Sequence, residues 1–71
     1  MTQGEFAHRA WAVWRRKVPT TPAFADCRFE FGSPDETVSI LDRKGRRLGA
    51  CRLVHTVRGV RVCAIEAAPR S

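Results

Sequence analysis

The sequence has no run of 18 apolar residues, so no segment of it reads as a transmembrane helix. It has no tyrosine and only three cysteines, Cys27, Cys51 and Cys63. An odd cysteine number without a C-x-x-C pair excludes a dense disulfide scaffold. The three read instead as small apolar core residues of a reduced compartment. The histidines are two, His8 and His55, and they are scattered among the cysteines with no zinc-ligand spacing. No metal and no cofactor is expected. No G-x-G-x-x-G and no phosphate loop occurs. Zinc-finger spacing and the aromatic signature of RNA-recognition modules are missing. A helix-turn-helix needs two adjacent helices, and one is visible. The first residues lack a charged segment followed by an apolar stretch and a cleavage site, so a cytoplasmic location is expected. With 71 residues there is no room for a second domain, a doubly wound nucleotide-binding fold or a barrel.

Anionic residues are also scarce. The chain has 13 Lys+Arg against 7 Asp+Glu, a formal charge of +6. Eleven of the 13 are arginine, a side chain suited to planar, bidentate contact with phosphate or carboxylate. The hydrophobic share of 44% is that of an ordinary globular chain and argues against disorder. A domain of this size holds only about 4–11 kcal/mol of stability. Small domains often add a partner, so a homodimer is a reasonable expectation.

Residues 3–18 read as one amphipathic helix. Thr2 and Glu5 have the spacing of a capping box. At about 100° per residue, Phe6, Ala7, Ala10, Trp11, Val13, Trp14 and Val18 share one arc. Arg15, Arg16 and Lys17 fall in the last turn, where cations offset the negative end of the helix dipole. Pro19 ends the helix, and residues 19–26 form a linker. In residues 27–31 apolar and charged residues alternate strictly, which places Cys27, Phe29 and Phe31 on one face of a strand. Residues 32–35 carry turn chemistry. Residues 37–41 form a second strand with Val38 and Ile40 together. Asp42-Arg43-Lys44-Gly45 is the clearest hairpin turn. Residues 46–56 form a long third strand with Gly49 as a bulge or bend. After a turn at 57–59, residues 60–67 form a fourth strand.

The expected fold is therefore α+β, with one N-terminal helix packed on a four-stranded antiparallel meander sheet. The expected core is Phe6, Trp11, Trp14, Phe29, Phe31, Val38, Ile40, Leu53, Val62 and Ile65.

Charge is unevenly spread. Residues 1–22 sum to +3, residues 23–41 to −3 and residues 42–71 to +6. The candidate binding residues are accordingly Arg43, Lys44, Arg46, Arg47 and Arg52 around one turn, with Arg58 and Arg61 around the next. In a meander these two turns lie at opposite ends of the sheet, so one continuous basic face does not follow from the sequence. Residue type points to a non-enzymatic binding protein. The favoured reading is an inhibitor or accessory factor, of the kind phages and mobile elements encode, that docks on a nucleic-acid-handling protein complex. The alternative is direct nucleic-acid binding through the hairpin arginines. A third reading is a small ribonuclease that uses His55 as base, with Arg47 and Arg61 stabilising charge. Reversing Arg43, Arg46 and Arg47 to Glu is expected to weaken binding and leave the thermal midpoint nearly unchanged.

Overall fold

The computed structural model describes residues 1–32 and 36–65. The turn expected at 32–35 falls, past Gly32, outside the described residues, as do the end of the fourth strand at 66–67 and the tail. Helix α1 spans Gln3–Lys17. A single 3-10 turn, Phe24–Asp26, interrupts the linker. Strands β1 (Arg28–Phe31), β2 (Thr37–Leu41), β3 (Arg47–Thr56) and β4 (Gly59–Ile65) follow. They form one antiparallel sheet in the order β1-β2-β3-β4, the expected meander.

The helix begins where the sequence places it. The Glu5 backbone N–H donates to Thr2 Oγ1 at 3.1 Å, and the Glu5 carboxylate accepts from the Thr2 backbone N–H at 3.3 Å. The backbone bond from Thr2 and, after it, the bond from the Thr2 hydroxyl hold the Glu5 carboxyl below its ordinary range. At the other end the Val18 N–H donates to the Trp14 carbonyl before Pro19 stops the run.

One face of the sheet takes the helix. Register aligns Phe29 with Ile40, Phe31 with Val38, Val38 with Cys51, and Leu53 with Val62. Phe6, Ala10, Val38, Ile40 and Cys51 form the buried centre, with Trp14, Phe29, Phe31, Leu48, Leu53 and Val62 packed around it. Cys51 is fully buried, and its thiol donates to the Ala10 carbonyl at 3.5 Å, which ties β3 to the helix. Burial pushes that thiol up to about 11. All three cysteines are free. Cys27 and Cys63 are only half-buried, so Cys51 alone is the interior cysteine the composition suggests.

Two expected core residues sit elsewhere. Trp11 belongs to a side cluster instead of the core. Its indole N–H donates to the Pro22 carbonyl at 2.8 Å, and its ring meets Phe24 edge-on with centroids 5.8 Å apart. Phe24 in turn stacks near Phe29 at 5.3 Å, so the linker is folded back and pinned against α1 and β1. Ile65 pairs with Ala50, and alternation along β4 puts it on the face away from the helix. The bulge predicted near Gly49 is present one residue earlier. Ile40 pairs with Gly49 but Leu41 pairs with Arg47, so Leu48 is the extra residue.

Candidate binding surface

The structure distributes the predicted arginines over three places. The first is the β2–β3 turn. Asp42 organises it: its Oδ1 accepts the Lys44 and Arg46 backbone N–H groups, both at 2.9 Å. The Gly45 N–H donates to the Asp42 carbonyl at 2.9 Å, and Gly45 takes the left-handed φ of +83° that such a turn requires. The backbone bond from Arg46 is the largest cause that holds the Asp42 carboxyl below its ordinary range. The same carboxylate accepts from Arg46 Nε at 3.3 Å, and Arg43 lies 3.9 Å from Asp26. The turn thus brings Arg43, Lys44 and Arg46 together but sets two aspartates among them. Reversing Arg43 and Arg46 would place carboxylates against carboxylates there, so their substitution tests the turn as well as binding.

The second place is the face of the sheet that α1 does not cover. By register, Arg47 shares a row with Leu41 and Arg28, and Arg52 shares one with Thr37 and Cys63. Arg61 faces Val54 and is the diagonal neighbour of Arg52. Three of the seven predicted residues, Arg47, Arg52 and Arg61, therefore share one surface. Arg28 joins them from β1, although it stands in the acidic stretch of the chain, residues 23–41. Glu30, opposite Ser39, is the acidic residue within the strands on this face among the described residues. Between the arginines lies an apolar middle. Leu41 and Ala50 are buried there, and Val54, Cys63 and Ile65 are half-buried. The alternation puts no aromatic side chain on this face.

The third place is the β3–β4 turn with Arg58. Arg47 opens β3 and the turn follows Thr56, so the two ends are about 30 Å apart at ~3.3 Å per residue. The structure separates Arg58 from the hairpin arginines at Asp42–Gly45.

A further cationic surface comes from the helix. Arg9 and Arg16 border a groove between α1 and β4, which Ala12, Val13, Val60, Arg61 and Val62 also line. Arg15 stacks over the Trp11 ring, 5.2 Å from its centroid. The sequence carries no signal that β4 runs beside these cations.

His55 Nε2 lies 3.3 Å from Glu36 Oε2, an exposed contact at the far end of β3. His55 pairs with Val60 on the helix side of the sheet, whereas Arg61 is on the opposite side. Arg47 stands at the other end of the strand, about 26 Å away at ~3.3 Å per residue. The structure does not bring His55, Arg47 and Arg61 together. Among the described residues no three His, Cys, Asp or Glu side chains converge as metal ligands would. No helix among them is long and apolar enough to cross a membrane.

Comparisons with protein-family models, with curated proteins and with solved structures found no match. The binding surface is therefore argued from its own residues.

Proposed function

We propose that this protein is a small, non-catalytic binding module that docks on an acidic surface of a protein belonging to a nucleic-acid-handling assembly, as an inhibitor or accessory factor. The observation that carries this reading is the sheet face that α1 does not cover. Arg28, Arg47, Arg52 and Arg61 stand around an apolar middle in which Val54, Cys63 and Ile65 are half-buried, above the buried Leu41 and Ala50. Interfaces between proteins combine an apolar centre with a polar, often arginine-bearing rim. A surface for single-stranded nucleic acid interleaves its cations with aromatic rings on which bases stack, and this face has none. Cations around the rim steer an acidic partner and set its orientation. They suit a protein that must occupy a site otherwise visited by nucleic acid.

The test has two arms. In the first, fluorescence anisotropy follows the purified protein against labelled single-stranded DNA, duplex DNA and RNA at two salt concentrations. The expected result is only the weak, salt-sensitive affinity of any cationic surface, with Kd of roughly 10⁻⁴–10⁻⁶ M. Sub-micromolar binding would replace the present reading with direct nucleic-acid recognition. In the second, affinity capture compares the native protein with the double variant Arg28→Glu, Arg52→Glu. A nucleic-acid-processing protein held by the native chain and lost by the variant is the expected outcome. Both positions are exposed, so the thermal midpoint should hold to within about 0.5 kcal/mol of stability.

A further inference from the structure

β4 is an edge strand, and among the described residues no strand pairs with its outer side. A strand in that position presents backbone donors and acceptors to any extended segment that reaches it. Native edges are usually blunted by charges, proline or a covering element. Here the edge carries a single charged residue, Arg61, and its approach is apolar: Val57 is fully exposed and Val60 is exposed as well. Beside this edge runs the groove against α1. Its floor is Ala12 and Val13 of the helix with Val60 and Val62 of the strand, and its rim is Arg9, Arg16 and Arg61. Among the described residues no carboxylate lines it. Glu5, one turn before Arg9, is bonded to Thr2 in the capping box, and the Arg9 charge is the smallest of the influences that hold its carboxyl low.

These features specify an occupant. An added strand would place alternate side chains on the helix side of the sheet, and those side chains would enter the groove. The floor favours small apolar groups. The rim favours carboxylates, since Arg9 and Arg16 are cations about 10 Å apart along the helix axis. We propose that β4 takes up an extended, carboxylate-bearing segment of a partner protein as a fifth strand, with its acidic side chains held by Arg9 and Arg16. This surface meets the other sheet face only at Arg61, and Arg9 and Arg16 take no part in that face, so the Arg9→Glu, Arg16→Glu and the Arg28→Glu, Arg52→Glu variants test the two assignments separately. A second copy of this chain is a poor occupant. Pairing β4 with β4 would set the Arg61 residues and the helix arginines of two copies against each other.

The probe is a labelled ten-residue peptide of alternating glutamate and valine, titrated into the full-length protein and followed by anisotropy and by amide hydrogen exchange. The expected result is saturable binding that slows exchange of the β4 amides. Two controls accompany it. Peptide N-methylated at every second amide keeps the charge and loses the strand-pairing donors, and its affinity should fall at least tenfold. The protein variant Arg9→Glu, Arg16→Glu should also lose at least tenfold, whereas Arg28→Glu, Arg52→Glu should bind the peptide as the native chain does. Equal affinity for the N-methylated peptide would overturn strand addition, as would absence of binding or protection of β4 by self-association. Stronger competition by duplex DNA than by unlabelled peptide would overturn the choice of a protein segment.

Discussion

Gly49 decides how closely α1 approaches the sheet. A Cβ at this position would lie 2.4 Å from two carbons of the Trp14 ring, closer than such atoms come. The glycine is therefore the seat of the tryptophan, and the bulge at Leu48 turns the strand beside it. Overpacking of this kind costs about 1–3 kcal/mol, a large share of what a small domain holds. Gly49→Ala should accordingly lower the urea midpoint and shift the tryptophan emission. With Trp14→Leu in place, the same alanine should cost nothing or add stability, because alanine is preferred to glycine within a strand by roughly 0.5–1 kcal/mol. A neutral Gly49→Ala in the native background would remove Trp14 from this role. The sequence could not reveal the pairing. A strand glycine reads equally as a bulge, a bend or a seat, and which ring fills it depends on a contact made 35 residues away. Trp11 and Trp14 were indistinguishable for the same reason. They share one arc of the wheel, and only the fold-back of Pro22 and Phe24 draws Trp11 out of the core.

At the scale of elements, local chemistry was sufficient. The Thr2–Glu5 box, Pro19 and the strict alternation of residues 27–31 each leave one structural solution, and α1 and β1 form accordingly. β4 was different. It is apolar on both faces, so period-two reasoning has no contrast to read, and Ile65 fell on the wrong side. The Asp42–Gly45 turn was legible because aspartate bonds its own backbone and glycine accepts positive φ. That turn also titrates. The Asp42 carboxyl is held below its ordinary value of 3.8, by the Arg46 backbone bond above all. A lowered acid pKa means that the unfolded chain takes up protons first as pH falls. The turn's contribution is thus complete above pH 3.8 and is lost as pH drops through the lower, folded value. The native protein should melt higher than Asp42→Ala at pH 7, and the two midpoints should converge as pH falls through the lowered carboxyl value of the folded state. A gap that persists in acid would mean that the aspartate acts by shape and not by charge.

On the scale of the whole molecule the governing fact is a net charge of +6 on a body 36 × 32 × 24 Å across. The sequence gives the sum and its division along the chain, but the faces it reaches depend on register. Arg28 was hidden by its acidic neighbours in sequence and joins Arg47 only across two strand pairings. Among the described residues, exposed Arg43 meets Asp26, exposed Arg46 meets the half-buried Asp42, and His55 meets Glu36 at the surface. Pairs of that kind contribute little to stability, so with a net charge of +6 repulsion among cations should dominate the electrostatic part of stability. Salt then acts in opposite directions on folding and on binding. The Debye length shrinks from roughly 20 Å to below 8 Å as ionic strength rises from about 20 mM to about 300 mM. Screening over that range relieves repulsion within the folded chain, and the thermal midpoint should rise. The same screening weakens attraction to an acidic partner, so affinity should fall. Calorimetry and anisotropy on one preparation, at the same potassium chloride concentrations, separate the two. A midpoint that falls with salt would show that the arginines are held in stabilising pairs and are not available to a partner, which would count against both proposed surfaces at once.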